Sequence, residues 1–473
     1  MKRRSSEHCG RYAPTGNRRE FLARAGAGLG TLALAGLLDQ ESLLAAPALA
    51  AEPLEPRPAH FPAKARAVIW LFMEGGPSGF DLFDPKPELQ KNDGQRIAID
   101  TFFGNPGPLM KSPFSFRQYG QCGAWVCDQL PRLAEQVDEL ALIKSCYTES
   151  NNHAPAMFQM NSGMARTGFP SAGSWVLYGL GSENRNLPGF VVLGNNRGSK
   201  GGSLNWSSGF LPSAYQGTLF RSQGSPILNL RRPADVAADD QRAQLDLLAT
   251  LNAEHQTERP GEADLLARIQ SFELAYRIQA EAEALVDLSD ETAEVKQLYG
   301  IDENKRGTFA EKCLLARRLV ERGVRFVQVY CNDEWDAHND LRGNHAAHCA
   351  ETDRPSAALL ADLKRRGLLD STLVVWGGEF GRMPVSEKGT GRDHNPHGFL
   401  VWMAGAGVKG GVSYGETDQF GHRASVDPVS VHDLHATILH QLGLDHKRLT
   451  YLHNGRRFRL TDVAGNVLQK ILS

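Results

Sequence analysis

Four short stretches of this sequence set acids or histidines beside glycines, and one chemistry fits them all. Glu74-Gly75-Gly76-Pro77-Ser78-Gly79-Phe80-Asp81 offers two carboxylates. Ser150-Asn151-Asn152-His153 offers a hydroxyl and an imidazole just before Pro155. Asp336-Ala337-His338 is the third stretch; Glu379-Phe380-Gly381-Arg382, followed by Asp393-His394, is the fourth. Carboxylate oxygens and imidazole nitrogens bind hard to borderline divalent ions such as Zn, Ca, Mg or Mn. Arginine beside such groups suits an anionic ester. The expected metal ligands are Glu74, Asp81, Asp336, His338, Glu379, Asp393 and His394, with Arg382 on the anion. Asp393 also reads as a plain turn residue. Pro155 fits the first turn of a helix, so Ser150 and His153 crowd a helix N-terminus, where backbone amides favour an anion. His153 is the expected nucleophile or proton shuttle and Ser150 the other candidate; for Ser150, simple capping fits equally well.

Something must carry these groups to one place. Short apolar runs at 67–73, 140–145, 324–330, 372–376 and 400–404 read as buried strands. Helical patterns at 130–137, 155–160, 308–321, 353–366 and 431–440 lie among them. This alternation predicts an α/β fold with a doubly wound, mostly parallel sheet and helices on both faces. In such sheets ligands bind beyond the carboxyl ends of the strands, and all four stretches follow strands. Residues 195–209 read as a Gly/Ser-rich surface loop carrying Arg197 and Lys200, facing the substrate as a lid or standing as a disordered insertion. The stretch 234–298 reads as an amphipathic helical insert. His345 and His348 are expected as exposed helix residues, and His435 as no ligand.

The chain has 473 residues, 22% charged and 41% hydrophobic, with a formal net charge of −2. That is an ordinary soluble composition, and the absence of a basic excess excludes nucleic acid as the expected partner. Arg18-Arg19, a Gly-rich apolar run and Ala48-Leu49-Ala50 read as a twin-arginine export signal over residues 1–50, giving a periplasmic or extracellular location. Residues 51–62 are Pro-rich and read as an unstructured leader, and residues 63–473 as one domain. No later stretch is long and apolar enough for a stable membrane span. Beyond Cys9, six cysteines remain; Cys122–Cys127 is the best disulfide candidate and buried thiols are expected for the others.

Several segments resemble the alkaline phosphatase/sulfatase superfamily. LPRLAEQVDELALIKSCYTESNNHAPAMFQMNSG looks like the stretch that reaches the superfamily's nucleophile loop, STLVVWGGEFG like the strand ending in its metal-binding Asp-His, and VHDLHATILHQLGL like a late helix. More closely, GGPSGFDLFDPKP, NNHAPA, WDAH, EFGR and GRDHNP resemble an uncharacterised family of exported, sulfatase-like bacterial proteins. The resemblance implies a metal-dependent hydrolase of sulfate or phosphate esters, with a sulfated or phosphorylated glycan among the substrates. By this alignment His153 stands at the nucleophile position. The C-x-P-S-R motif of formylglycine sulfatases is missing, and Glu379-Phe380 replaces Asp-His. Those departures leave open a binding or assembly protein on the same fold.

Overall fold

The computed structural model describes residues 53–99, 101, 106–194, 198–221, 226, 227, 230, 232, 235–258, 263–302 and 304–473. The expected export signal and Arg197 lie outside the described residues. Ala67–Phe72 (β1) is buried along its whole length. Ile69 and Leu71 enter one apolar core, while Val68, Trp70 and Phe72 enter a second on the other face. A strand covered on both faces has no solvent side, which is why its sequence shows no polar alternation.

The other strands used below are Leu140–Tyr147 (β2), Phe190–Leu193 (β3), Thr218–Phe220 (β4), Phe326–Tyr330 (β5) and Thr372–Gly377 (β6), then the hairpin pair Gly381–Glu387 (β7) and Gly391–Asn395 (β8), then Phe399–Ala404 (β9), Val412–Tyr414 (β10) and Val429–Ser430 (β11). The main sheet runs β10-β2-β9-β6-β1-β5-β3-β4, with β11 beside β2. β1 is parallel to β5 and β6, β3 to β5 and β4, and β10 and β11 to β2. β9 runs antiparallel between β2 and β6. The helices used below are His153–Ser162 (α1), Ala172–Leu180 (α2), Ala238–Glu258 (α3), Ala263–Val286 (α4), Phe309–Glu321 (α5), Leu341–Arg365 (α6) and Val431–Gln441 (α7). α5 and α6 cover the Ile69 face; α1, α2 and α7 cover the Val68 face. The protein is a mixed α/β structure around a mostly parallel sheet. None of its described helices is long and apolar enough to cross a membrane.

Several expectations need correction. Residues 53–62 carry no regular secondary structure, but they are fixed to the domain. Arg57 N donates to Leu180 O at 2.9 Å, its guanidinium reaches Tyr178 O, and His60 N donates to Gly443 O at 2.9 Å. The helix expected at 353 begins at Leu341, capped by the Asp340 carboxylate on Gly343 N. His345 and His348 are therefore buried: His345 accepts from Ser78 N at 3.0 Å, and the His348 ring sits against Trp335. Helix 130–137 shrinks to Pro131–Ala134, followed by a 3-10 turn. Cys122 and Cys127 are both free thiols.

The stretch 381–395, read as a loop, is the β7–β8 hairpin, with His394 opposite Arg382. Its turn passes through Lys388 and Gly389 with φ 50° and 88°, the left-handed region that reverses a hairpin. Three of the charged residues that disguised it, Arg382, Arg392 and Asp393, are held inside, while Lys388 at the turn is exposed. Arg392, fully buried, donates to both Asp81 oxygens and to the carbonyls of Met383, Pro384 and Met110.

Candidate metal centre

The loops after β1 and β5 meet backbone to backbone. A Cβ on Gly75, which has φ 104°, would lie 2.5 Å from the Trp335 nitrogen and 2.7 Å from that of Asp336. Only glycine permits that approach; across it, Trp335 N donates to Glu74 O at 2.8 Å. The hairpin closes in the same manner from the other side, where a Cβ on Gly391 would strike the His338 carbonyl. These contacts deliver Asp336, His338 and His394 to one point beyond the carboxyl edge of the sheet. α1 delivers His153 there as its first residue.

Asp336 is the hub. Its Oδ1 lies 2.9 Å from His338 Nε2, 3.2 Å from His394 Nε2 and 2.8 Å from Arg382 Nη2. Its Oδ2 lies 3.1 Å from His153 Nε2 and 3.3 Å from Lys200 Nζ. Each imidazole is fixed through its other nitrogen. His394 Nδ1 is 2.6 Å from Asn151 O, His338 Nδ1 is 2.5 Å from Glu387 Oε2, and His153 Nδ1 is 2.6 Å from Glu379 Oε1. Glu379 is itself anchored by the Gly75 amide, 3.0 and 3.1 Å from its two oxygens. An oxygen acceptor on Nδ1 places the proton there and turns the Nε2 lone pair inward, as around metal-ligating histidines. His338 Nε2 and His394 Nε2 then face each other at 2.9 Å. Two lone pairs so close need a proton or a cation between them.

The charges agree with that picture. Burial alone would raise the Asp336 carboxyl, but His153, His338, His394 and the Arg382 charge hold it far below the usual carboxylate range. His338 is shifted up by its bond to Asp336, against burial, with help from Glu387. His153 is also raised: burial opposes the shift, and Asp336 and Glu379 outweigh it. His394 is lowered, chiefly by burial. Burial pushes the Glu74 carboxyl up to about 7, opposed by the Lys200 amide at 2.7 Å and assisted by the Glu379 charge.

Among the described residues, two sets of three place ligand atoms within 4.8 Å of one another: His153, Asp336 and His394, and His338, Asp393 and His394. The other expected residues stand elsewhere. Asp81 is fully buried between Arg392 and the Ser78 hydroxyl, so its carboxylate is already neutralised away from the hub. Glu379 stands behind His153, and Glu74 holds the Lys200 amide. The Ser150 hydroxyl closes a local turn with Asn152, 3.1 Å from its amide and 3.4 Å from its carbonyl. Arg382, expected on the anion, is 1% exposed and bonds the carbonyls of Gly75, Gly76 and Arg392 as well as Asp336. Phe380, which replaces the histidine of the resembled Asp-His pair, stacks on His394 with ring centroids 4.5 Å apart and touches the His153 ring at 4.9 Å.

Sequence reasoning assigned no role to Glu387 or Glu334, and it noted Lys200 only as a charge in a loop. Lys200 Nζ lies 2.7 Å from Glu334 Oε2 and reaches Asp336. Trp206 in the same loop is buried against Tyr330 and anchors the loop to the domain, while Leu204 beside it is exposed. The available signal was a lysine between glycines, a place where a long side chain can cross a gap.

Solved structures similar to this chain include three hydrolases. The phosphonate monoester hydrolase SpPMH from Silicibacter pomeroyi is 11% identical over 72% of this chain and 71% of its own, with a TM-score of 0.35. PsFucS1 sulfatase from Pseudoalteromonas sp. is 13% identical over 80% and 68%, with a TM-score of 0.35. The alkaline phosphatase from the Antarctic bacterium TAB5 is 11% identical over 76% and 96%, with a TM-score of 0.30. Identities this low and superpositions this loose carry no statement about chemistry. No curated protein matches the chain in sequence. A family model matches residues 65–472, the whole sheet and every residue around Asp336 included, so the chain belongs to the family described as protein of unknown function (DUF1501).

Proposed function

We propose that this chain is a metal-dependent hydrolase of sulfate or phosphate esters. The observation that carries the reading is the convergence on Asp336 of three imidazole Nε2 atoms, each fixed by an oxygen on its Nδ1. The two oxygens of Asp336 divide the work. On the Oδ1 side, His338 and His394 join Asp336 as ligands, with Asp393 within reach. On the Oδ2 side stand His153 and Lys200, one able to carry a proton and the other to attract an anion. A nitrogen-rich donor set favours zinc over calcium, magnesium or manganese, which prefer oxygen. When bound, the ion polarises the ester and activates the attacking group. His153 sits at the start of α1 with Glu379 orienting its ring, and Lys200 takes over the anion contact expected of Arg382. The substrates are anionic esters, with sulfated or phosphorylated glycans in that class.

The test uses the purified chain loaded with zinc, with manganese-loaded chain in parallel. The panel holds an aryl sulfate, an aryl phosphate, a phosphonate monoester and a sulfated glycan. Turnover of at least one ester, lost on chelation and restored by the ion, is the expected result. A second reading, a metal-binding protein without turnover, is favoured by Phe380 stacked on His394 and by the local turn that occupies Ser150. A tightly bound ion with no hydrolysis across the panel would establish it.

Export through the twin-arginine route remains part of the proposal, motivated by Arg18-Arg19 and the apolar run behind them. Arg18→Lys combined with Arg19→Lys is expected to leave the precursor in the cytoplasm. Unchanged periplasmic recovery on cell fractionation would refute it.

A further inference from the structure

Both main-chain groups of Lys200 are held by buried side chains. Its N–H donates to Glu74 Oε1 at 2.7 Å, and its carbonyl accepts from Asn205 Nδ2 at 2.8 Å. Asn205 lies in the short 3-10 turn Gly202–Trp206, and the same Nδ2 is 3.2 Å from Gly202 O and 3.3 Å from Ser199 Oγ. The chain folds back on itself here because Gly201 and Gly202 take φ of 87° and 58°; a Cβ on Gly201 would lie 2.7 Å from the Phe158 ring. Behind Asn205 the hydrogen bonds continue. Its Oδ1 accepts from Asn161 Nδ2 at 3.4 Å, which also donates to Met157 O at 2.8 Å, and Asn161 Oδ1 accepts from Gln328 Nε2 at 2.6 Å. Gln328, Asn161 and Asn205 are all buried. Each amide donates to the next in one direction, from β5 through α1 to the carbonyl of Lys200.

We infer that Asn205, backed by Asn161 and Gln328, is the positioning residue for Lys200. A buried amide is costly when a partner is missing, so a complete row of amides fixes one arrangement of the segments it joins. These segments are the ones that build the site. β5 leads into the loop of Asp336, α1 begins at His153, and the loop of Lys200 is the third. With its N–H on Glu74 and its carbonyl on Asn205, the backbone of Lys200 has one direction in which to send its side chain. That direction places Nζ 2.7 Å from Glu334 Oε2 and 3.3 Å from Asp336 Oδ2. The consequence for ligands rests on the ester-hydrolase reading above. An anion on the Oδ2 side meets an amine already in place, so binding loses less side-chain freedom than it would with a loose lysine.

The test has two readouts on the full chain. The first is a brief pulse of acetic anhydride, with the acetylated lysines quantified by peptide mass spectrometry. In the parent, Lys200 is expected to react several-fold more slowly than Lys388, which is exposed. In Asn205→Ala, Lys200 should speed up several-fold while Lys388 does not change, a selectivity that loss of global stability would not produce. Asn161→Ser, which leaves Asn205 in place, should shift Lys200 the same way by less, and it serves where Asn205→Ala folds poorly. The second readout is calorimetric titration of the zinc-loaded chain, freed of excess zinc, with inorganic phosphate. Asn205→Ala and Lys200→Ala should each weaken binding by roughly 10-fold, the low end for a hydrogen bond to a charged group. The double variant should lose no more than Lys200→Ala alone, because residues that act through one another are not additive. Lys200 labelled as fast as Lys388 in the parent, no change at Lys200 in Asn205→Ala, or an additive loss in the double variant would each overturn the inference. Faster labelling of Lys200 in Asn205→Ala, with parent-level phosphate binding in Lys200→Ala, would uphold the positioning and count against the anion contact in the ester-hydrolase reading.

Discussion

Asp336→Ala is expected to lose the bound divalent ion, with affinity down by at least about 100-fold. That figure is the upper range for removing a partner of a ligand, and Asp336 is itself the shared oxygen donor. The same change removes the carboxylate facing Arg382, which is fully buried. Leaving one member of such a pair uncompensated costs about 3–5 kcal/mol. Elemental analysis after gel filtration reads the ion, and a urea melt reads the fold. Asp336→Asn separates the two effects, because it keeps an oxygen acceptor of the same size for Arg382 while weakening the ion's ligand. Parent-level ion content in Asp336→Ala, under equal loading, would remove the candidate centre.

His153→Ala is expected to lower ester turnover by at least about 100-fold, the low end for acid–base catalysis, while the ion content stays at the parent's level. Ser150→Ala should change turnover much less, since its hydroxyl is engaged with Asn152. Melting curves of both variants must match the parent's for the comparison to count. Two outcomes would redraw the assignment. Loss of the ion in His153→Ala makes His153 a ligand, consistent with its ligand atom lying near those of Asp336 and His394. Full turnover in His153→Ala with loss in Ser150→Ala moves the attacking group to Ser150.

The fold was legible because its central strands are short apolar runs between helical patterns; Ala67–Phe72 and Thr372–Gly377 need nothing more to be recognised. The carboxyl edge was legible too, since Asp336 and His338 follow β5 by a few residues; His394 reaches the same edge from within β8. Pairing was not legible. Nothing in the sequence says that Asp81 meets Arg392 rather than an ion, or that Lys200 crosses to Asp336, because loop geometry chooses among chemically equal partners. The hairpin at 381–395 was missed because Pro384 and a run of charges hide its register, and the burial that overrides them comes from distant residues such as Asp81. His345 and His348 were misjudged for a related reason: a helix that starts at Leu341 turns them inward against Trp335.

The immobilised guanidinium of Arg382 has a consequence for selectivity. A planar fork recognises a ligand by shape, through paired parallel hydrogen bonds. Here that fork is spent on backbone carbonyls and on the Asp336 carboxylate, so toward a ligand it acts only as a fixed field. Lys200, partly exposed and on a flexible stem, is a point charge without directional preference. Within the ester-hydrolase reading, such a site ranks ligands by their charge and hardly by the arrangement of their oxygens. Sulfate, phosphate and phosphonate esters of equal charge then differ little in affinity, and any preference among them must arise in the reaction itself or from the group they esterify.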